Sequence, residues 1–289
     1  SNLGAGFDCV GVALDRWLEA DAALDGDDVT IERAGTLAAF GGAARDDLLW
    51  RGVLLACAAR DVPPPRGMRV RATSSIPLAR GLGSSAAALV AGIRLADALL
   101  ALALSPDEIV AIGAAAEAHP DHVAPIVLGG AVRAVPDADG RYAMARLDVH
   151  PDVAFALCVP DFETATSAMR ARLPATLPHR DAVRAAGKAA ALVRALATAD
   201  GALLARALDD VLHVPFRRAL LPGYDEVVAA AHEAGAWGAT LSGSGSTLIA
   251  LAPAARAGEV ARAMADRWAA LDVRAEGSVA RVGRRAADG

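Results

Sequence analysis

The segment Gly81-Leu82-Gly83-Ser84-Ser85 constrains the fold most, because it joins a strand pattern to a long helix pattern. Residues 68–72 alternate as a short strand, and the apolar residues of 84–104 have helical spacing. Glycines let the backbone turn tightly and approach a ligand closely. A helix N-terminus offers unpaired N–H groups and the positive end of the helix dipole. This order of strand, glycine loop and helix favours a phosphate-binding loop.

Two other interpretations of this loop exist. A glycine turn followed by a serine-capped core helix explains the residues without any ligand. A dinucleotide site is suggested because Gly81, Gly83 and Ala86 fit the pattern G-x-G-x-x-A. However, Pro77 separates the strand from the glycines, and residues 101–108, where a ribose-binding acid belongs, have a helical pattern. A Walker A motif is excluded, because no Gly-Lys-Ser/Thr follows the glycines.

The composition is that of a globular chain. Its 289 residues are 54% hydrophobic and 22% charged, which is enough for a core and unlike disordered proteins. The apolar run of residues 86–93 ends at Arg94, far short of the roughly 20 residues that cross a bilayer. The net charge of −5 and the dispersed arginines form no nucleic-acid arm. We therefore expect neither a membrane nor a nucleic acid as partner.

The three cysteines indicate in which cellular compartment the protein resides. Cys9, Cys57 and Cys158 are far apart and lie among apolar neighbours, and their number is odd. Such cysteines are typical of free, buried thiols in a reducing compartment. We therefore expect a cytoplasmic protein without disulfides.

The hydrophobic periodicity predicts an α+β chain with two units. The first unit is predicted to contain strands at 10–24, 68–72, 123–135 and 142–147, and helices at 46–60, 84–104 and 105–117. The second is predicted to contain strands at 154–159, 237–241, 247–251 and 273–282, and helices at 181–198, 201–212, 224–234 and 256–270. These patterns place a domain boundary near residue 150, giving domains 1–150 and 151–289.

Three segments resemble motifs of the GHMP kinases, the small-molecule kinases of galactose, homoserine, mevalonate and related substrates. Residues 77–87, Pro-Leu-Ala-Arg-Gly-Leu-Gly-Ser-Ser-Ala-Ala, resemble the phosphate loop of that superfamily. Residues 1–8, Ser-Asn-Leu-Gly-Ala-Gly-Phe-Asp, resemble the N-terminal motif in its homoserine kinase form. Residues 240–247, Thr-Leu-Ser-Gly-Ser-Gly-Ser-Thr, resemble the C-terminal glycine motif. The resemblance implies the GHMP kinase fold, with the nucleotide in the cleft between two α+β domains and a ferredoxin-like C-terminal domain.

The resemblance also implies which residues bind Mg-ATP. The implied phosphate-binding residues are Pro77, Leu78, Ala79, Arg80, Gly81, Leu82, Gly83, Ser84, Ser85, Ala86 and Ala87. Ser84, Ser85 and Glu117 are the implied magnesium ligands, since Mg²⁺ takes few protein carboxylates together with phosphate oxygens. Without the resemblance, Glu117 is equally well explained as a solvated carboxylate at a helix end. Asp47 lies where the family contacts the nucleotide.

Residues 117–125, Glu-Ala-His-Pro-Asp-His-Val-Ala-Pro, resemble the homoserine kinase segment Glu-Gly-His-Pro-Asp-Asn-Val-Ala-Pro. This chain departs from the segment at His122, where the family has an Asn in the substrate pocket. The resemblance makes His119 and His122 candidate substrate contacts. His122 could donate a hydrogen bond to the substrate, act as a base or mark a changed specificity. Both histidines also fit an ordinary structural hydrogen bond.

Further matches concern the two ends of the substrate. Residues 164–174 and 213–217 resemble family motifs in which Thr166 faces the reacting hydroxyl, while Arg170 and Arg217 bind the substrate carboxylate. Two guanidinium groups suit a carboxylate, because each binds it through two hydrogen bonds. Asn2 and Asp8 match residues that contact the amino-acid end of homoserine. Together these matches imply a zwitterionic amino acid rather than a sugar.

The implied reaction is ATP-dependent phosphorylation of the side-chain hydroxyl of L-homoserine to O-phospho-L-homoserine, a step that feeds threonine synthesis, with ATP and Mg²⁺ as cofactors. The alternatives are a GHMP kinase for another small hydroxylated amino acid or acid, and a catalytically silent binding protein of the same fold. The resemblance is compatible with a homodimer. In the family a strand precedes the residue that matches Ser1, so we expect this chain to lack that first strand.

Overall fold

The computed structural model describes residues 1–283, which contain ten strands and ten α-helices. The strands are β1 Val10–Val12, β2 Leu18–Ala23, β3 Val29–Gly35, β4 Met68–Ser74, β5 Ala131–Pro136, β6 Tyr142–Leu147, β7 Val153–Pro160, β8 Gly238–Leu241, β9 Leu248–Pro253 and β10 Ala275–Ala280. The helices are α1 Leu48–Ala59, α2 Ser84–Leu100, α3 Pro106–Glu117, α4 Val123–Leu128, α5 Thr166–Arg170, α6 His179–Thr198, α7 Gly201–Leu208, α8 Val214–Arg217, α9 Tyr224–Glu233 and α10 Ala257–Ala269. Among these helices none combines the length and the apolar character that a membrane span requires.

The second half of the chain forms a four-stranded antiparallel sheet in the order β10-β7-β9-β8. With its helices this order gives the ferredoxin-like arrangement that the sequence predicted. Strand β7 is apolar almost throughout because both faces of the sheet are covered. One face packs on α9 and α10, whereas Phe155 and Leu157 on the other face pack with α6 and with Leu3 and Val10 of the N-terminal segment. The N-terminal segment is therefore held directly on the C-terminal sheet.

The first half contains two smaller sheets, with strand orders β2-β4-β3 and β1-β5-β6. Strand β4 lies at the centre of the first sheet and alternates buried and exposed side chains, since one face meets the helices and the other meets water. Helices α1 and α2 cover the buried face. Helix α2 begins directly after the glycine loop, so the packing of this pair fixes where the loop lies.

Most predicted elements are confirmed, but in the first half two predictions are wrong and one strand was missed. Residues 123–135 were expected to form one strand, yet they form helix α4 and then β5, because a short apolar run rich in valine does not distinguish a buried helix turn from a strand. Residues 10–24 form two strands rather than one. Strand β3 was not predicted, because its exposed side is charged and only half of it contributes to the core.

The helix expected at 201–212 ends at Leu208, four residues early. Buried Asp210 accounts for this end, since its carboxylate accepts hydrogen bonds from the N–H groups of Leu212, His213 and Val214. An aspartate that binds nearby N–H groups offers the backbone an alternative to the helix. The cysteines are free, as expected, with Cys57 and Cys158 buried and Cys9 half-buried. The domain boundary near residue 150 lies between β6 and β7 and stays a prediction.

Helices α1 and α2 approach each other so closely that only glycine fits at their crossing. A Cβ on Gly52 would lie 2.2 Å from the carbonyl oxygen of Leu89, and one on Gly92 would lie 1.9 Å from that of Leu49. We predict that Gly52→Ala lowers the free energy of unfolding by about 1–3 kcal/mol, because the helices must move apart. Urea-induced unfolding followed by circular dichroism measures this change.

Gly187 in α6 supplies the matched control, because a Cβ there would meet no atom within 4 Å. Gly187→Ala should raise the free energy of unfolding by about 0.5–1 kcal/mol through helix propensity alone. The close helix crossing would be contradicted by a Gly52→Ala protein at least as stable as the wild type.

Candidate active site

A cavity of about 260 Å³ opens where the glycine loop, the N-terminal segment, α5 and the C-terminal glycine loop meet. Almost all of the predicted magnesium-binding, substrate-binding and catalytic side chains line it, together with part of the phosphate loop. The lining residues are Asn2, Phe7, Ala79, Gly81, Gly83, Ser84, Ser85, Glu117, His119, His122, Thr164, Ala165, Thr166, Arg170, Arg217, Gly243 and Ser244. Six separate parts of the sequence thus converge on one site.

The glycine loop has the backbone that phosphate binding requires. Ala79, Gly81 and Gly83 all have positive φ values, from 53° to 78°. Gly83 is the N-cap of α2 and has no side chain to bind the N–H groups of the first turn. The start of α2 therefore presents its N–H groups and dipole to the cavity, which suits an anion. The side chains of Leu78 and Leu82 pack into apolar clusters instead.

The end of the predicted loop contributes no side chain to the cavity. Ala86 and Ala87 are buried, with exposed fractions of 0% and 7%. Neither alanine lines the cavity, and neither does Pro77. Any contact of these residues with a phosphate would come from the backbone, and their role stays a prediction.

The C-terminal glycine loop fixes the position of the phosphate loop. The carbonyl oxygen of Gly81 accepts hydrogen bonds from the hydroxyl groups of Ser1 and Ser242, at 3.0 and 2.9 Å. A Cβ on Gly81 would lie 2.1 Å from the carbonyl oxygen of Ser242. The two glycine loops are therefore in backbone contact, and any side chain at this position would separate them.

Arg80 holds the same loop from a second direction. Its guanidinium group donates to the carbonyl oxygens of Pro160 and Asp161, at 2.9 and 2.8 Å, and pairs with Glu163 at 3.2 Å. The side chain thus ties the phosphate loop to the end of β7. Arg80 was predicted to bind phosphate, but its guanidinium group is directed at the C-terminal half and does not line the cavity.

The predicted magnesium ligands lie together at the start of α2. The hydroxyl group of Ser85 donates to Oε2 of Glu117 at 3.0 Å, and Ser84 lines the same wall. Ligand atoms of Glu117, His119 and His122 also lie within 4.8 Å of one another. Carboxylate and hydroxyl oxygens suit Mg²⁺, whereas imidazoles suit transition metals. The residues present therefore fit Mg²⁺ held by Glu117 and the two serines.

Asp121 is a site residue that the sequence analysis did not single out. It is fully buried, accepts from Nδ2 of Asn2 at 2.7 Å and contacts Nδ1 of His119. Burial alone would raise the pKa of Asp121, but the neighbouring imidazoles of His122 and His119 and the Asn2 amide hold it well below its usual range. The carboxylate therefore stays ionised and orients Asn2 and His119 toward the cavity.

His119 and His122 differ in their surroundings. Burial would lower the pKa of His119, but the hydrogen bond with Asp121 and the negative charges of Asp121 and Asp8 together raise that pKa. Burial lowers the pKa of His122 to about 3, so its imidazole is neutral near pH 7. Nε2 of His122 is buried without a partner, 3.2 Å from where a Cβ on Gly243 would lie. His122 is wedged between Gly83 and Gly243, which favours a positioning role over proton abstraction.

The two predicted substrate arginines both reach the cavity. Arg170 forms a two-pronged ion pair with Asp8, at 2.8 and 3.2 Å. Arg217 is buried and donates to the carbonyl oxygens of Met169 and Gly243, at 3.1 and 3.3 Å. Within residues 1–283 no carboxylate lies within 4.0 Å of Arg217, so its direct hydrogen-bond partners are neutral, while Asp8, Asp210 and Asp121 act on it at longer range. A buried cation without a direct ion-pair partner suits an anionic ligand.

Two smaller contacts complete the wall opposite the phosphate loop. The hydroxyl group of Thr166 lies 3.1 Å from that of Ser244, which ties α5 to the C-terminal glycine loop.

His213 belongs to a predicted motif, but the sequence analysis gave it no role of its own. Its Nδ1 lies 3.1 Å from Nη1 of Arg217, and burial lowers its pKa to about 4. The neutral imidazole can accept this hydrogen bond and orient Arg217.

Asp47, where a nucleotide contact was expected, has a structural role. Its Oδ1 accepts from the N–H of Leu49 at 2.9 Å and caps α1, and its Oδ2 pairs with Arg33 at 2.8 Å. Both oxygens are thus engaged within the protein, and a contact of this segment with the nucleotide stays a prediction.

Sequence models of two domains match the chain: GHMP kinases N terminal domain over residues 47–130, and GHMP kinases C terminal over residues 192–270. The homoserine kinase of Synechococcus is 41% identical over 281 residues, which is 96% of this chain and 91% of that protein. The homoserine kinase of Gloeobacter violaceus is 42% identical over 275 residues, covering 93% and 90%.

Solved structures agree with the sequence relatives. The homoserine kinase of Cytophaga hutchinsonii superposes with a TM-score of 0.85 at 28% identity, covering 99% of this chain and 92% of that chain. A mevalonate kinase of L. major, solved with R-mevalonate, shares the fold at 16% identity, with a TM-score of 0.68 and coverage of 95% and 89%.

Fold and sequence together define a small-molecule kinase of the GHMP class, and they confirm the predicted two-domain fold. Among GHMP kinases, the chain belongs to the homoserine kinase family, which its identity to curated members over nearly its whole length establishes. As a member of a kinase family it is an enzyme that uses ATP as the phosphoryl donor, with a small molecule as acceptor.

The buried histidines make the stability of the protein depend on pH. The pKa of His213 is about 4 when folded and about 6.5 when unfolded, so the unfolded chain binds its proton more tightly. The contribution of His213 to stability is complete above about pH 6.5 and is lost as the pH falls toward 4, at about 1.4 kcal/mol per pH unit. We predict that His213→Gln, whose amide oxygen can still accept from Arg217, flattens the decline in the free energy of unfolding over this range.

Denaturant unfolding at a series of pH values measures this effect. His232→Gln is the control, because that side chain is exposed to solvent and should leave the slope unchanged. An unchanged slope in His213→Gln would show that His213 is not held neutral by burial.

Proposed function

We propose that this protein transfers the γ-phosphoryl group of ATP to the side-chain hydroxyl of L-homoserine. The observation that carries the proposal is a cavity with a phosphate loop on one wall, a buried arginine without an ion-pair partner on another, and a carboxylate, Asp8, paired with the second arginine. An amino acid with a free hydroxyl group matches all three. The names of the sequence relatives supply homoserine as the particular amino acid.

The substrate carboxylate is assigned to Arg217 and Arg170. Arg217 is 1% exposed and its other partners are neutral, so an incoming carboxylate would supply the counter-charge that it lacks. Guanidinium groups bind carboxylates through two parallel hydrogen bonds, which fix orientation as well as add affinity.

The substrate ammonium group is assigned to Asn2 and the acidic residues beside it. Oδ1 of Asn2 is a buried acceptor without a partner, while Nδ2 of the same residue is fixed by Asp121. An unpaired buried oxygen is costly, and an ammonium donor would satisfy it. Asp8 adds negative charge at the same end of the cavity.

Asp8 and Arg170 bind each other in the structure, although each is assigned to an opposite charge of the substrate. Both side chains are about one-third exposed, so this ion pair is weak enough to open. A zwitterion can replace it without a net loss of charge pairing, because its ammonium meets Asp8 and its carboxylate meets Arg170. A substrate with only one charge would leave one partner unpaired.

The phosphates of ATP are assigned to the glycine loop and to the N-terminus of α2. Mg²⁺ held by Ser84, Ser85 and Glu117 would supply charge neutralisation for the phosphates. Phosphoryl transfer depends mainly on position and charge rather than on covalent chemistry by the protein. We assign the orientation of the reacting hydroxyl to Thr166, whose own hydroxyl group contacts that of Ser244.

The hydroxyl proton is assigned to an oxygen of the transferred phosphoryl group. Nε2 of His122 is sealed behind the glycine loops, and its pKa of about 3 makes it a weak base. We assign a spacing role to His122: its imidazole keeps Gly83 and Gly243 apart and so sets the width of the cavity. A homodimer and a cytoplasmic location remain predictions from the sequence.

The first test measures ADP release from Mg-ATP with L-homoserine, L-serine, L-threonine and mevalonate, each against a substrate-free blank. We predict turnover with homoserine, and a loss of kcat of at least about 100-fold in Glu117→Ala, because charge neutralisation is lost. Glu259→Ala is a matched carboxylate control outside the cavity, where the side chain pairs with Arg256 at 3.0 Å. Turnover with another acceptor but not with homoserine would keep the kinase and reject the substrate. No turnover with any acceptor would favour a silent binding protein.

A second prediction concerns Asp8. Asp8→Asn removes the charge assigned to the substrate ammonium, so the KM for homoserine should rise by about 10- to 100-fold while the KM for ATP stays the same. Asp225→Asn is the control, since it removes a surface aspartate–arginine ion pair, with Arg218 at 3.2 Å, that does not line the cavity. An unchanged KM for homoserine in Asp8→Asn would contradict the assignment.

A further inference from the structure

Phe7 lies within the N-terminal motif and close to both substrate arginines, yet no substrate or metal role has been assigned to it. Its ring lines the cavity. The guanidinium carbon of Arg217 lies 4.9 Å from the ring centroid, and that of Arg170 lies 5.6 Å from it. The imidazole of His213 stacks on the ring at 4.3 Å with an interplanar angle of 19°. One aromatic ring is therefore the shared contact of two cations and a neutral imidazole.

The two arginines need such a contact because they repel each other. Burial and the charge of Arg170 together lower the pKa of Arg217 to about 10. Asp8 pairs directly with Arg170 and acts on Arg217 only at longer range, so it offsets part of this repulsion. A group that attracts both guanidinium groups to one point would offset more of it.

We propose that Phe7 is a positioning residue that holds Arg170 and Arg217 together for one carboxylate. The π face of phenylalanine carries partial negative charge and attracts cations, more strongly where water is excluded. Each guanidinium group is within the distance of about 6 Å at which this attraction acts. The ring binds no proton and forms no hydrogen bond, so it attracts the arginines without competing with the substrate.

His213 fixes the ring in turn. It stacks on Phe7 and accepts a hydrogen bond from Arg217 through Nδ1, while its backbone N–H is held by Asp210. Phe7, His213 and Arg217 thus form a closed set of contacts around the turn before α8. The geometry that Phe7 imposes on the arginines is therefore present before the substrate binds.

This inference rests on the proposed function in one respect, namely that the arginines bind the substrate carboxylate.

The first test replaces Phe7 by phenylalanines with one, two and five ring fluorines, which keep the size of the ring and progressively remove the negative charge of its face. We expect the KM for homoserine to rise stepwise, reaching about tenfold with five fluorines, while the KM for ATP stays constant. Phe7→Tyr should stay near wild type and Phe7→Leu should match the fully fluorinated ring.

A flat KM across the fluorinated series, with an increase in Phe7→Leu alone, would overturn the proposal, because the ring would then act only through its volume. A wild-type KM in Phe7→Leu would overturn it as well. The fluorinated rings are nearly isosteric with phenylalanine, so the series does not depend on the folding of Phe7→Leu.

A second measurement needs no substrate, so its result does not depend on whether homoserine is the substrate. In protein labelled with ¹⁵N-arginine, the Nε–H signals of Arg170 and Arg217, assigned through their lysine variants, should show ring-current shifts and slow hydrogen exchange. The fully fluorinated ring should move both signals toward the position of free arginine and speed their exchange. Unchanged signals would overturn the role of Phe7, whereas wild-type protein without homoserine turnover would overturn only the proposed function.

Discussion

The backbone contact between the two glycine loops is the constraint on which the active site depends. The carbonyl oxygen of Gly81 is held by two serine hydroxyl groups, and the space that a side chain would fill is taken by the backbone of Ser242. The phosphate loop begins α2, and Ser242 begins the turn between β8 and β9. Joining them therefore brings the anion-binding helix end of one half of the chain against the sheet of the other. The cavity lies on one side of this contact. On the other side, Arg80 binds the phosphate loop to the end of β7.

The second determinant of function is the separation of charge within the cavity. Two arginines and the end of α2 supply positive groups, and Glu117 supplies a negative one, while Asp8 and Asp121 lie behind the wall in contact with Arg170 and Asn2. The positive end of α2 suits phosphates, the serines and Glu117 suit a metal ion, and the remaining groups suit a zwitterion. Most of these groups already have partners that hold them in place, so the site is formed before ligands bind. Preformed positive charge of this kind is how enzymes stabilise a phosphoryl group during transfer.

Much of the fold and of the candidate site could be predicted from the sequence, and there are physical reasons why the rest could not. Gly81, Glu117 and Arg217 were singled out because they stand in segments that resemble GHMP kinase motifs, and all three line the same cavity. Asp121 and Phe7 stood inside recognised motifs but were not singled out, because their roles arise from contacts with residues far along the chain. The same reasoning explains the wrong strand at 123–135, where local hydrophobicity fits two structures and tertiary packing decides. Arg80 was assigned to phosphate by its place in the loop, whereas its side chain has closer partners across the interface.

The claim that the cavity recognises both charges of an amino acid is tested most directly by calorimetric binding. The wild-type protein, with Mg²⁺ and a non-hydrolysable ATP analogue, would be titrated with L-homoserine, with 4-hydroxybutyrate, which lacks the ammonium, and with 3-aminopropan-1-ol, which lacks the carboxylate. The account predicts that each single-charge analogue binds at least about tenfold more weakly than homoserine, because a buried partner is left unpaired. Equal affinity for either analogue would contradict the assignment of a group to that end of the substrate.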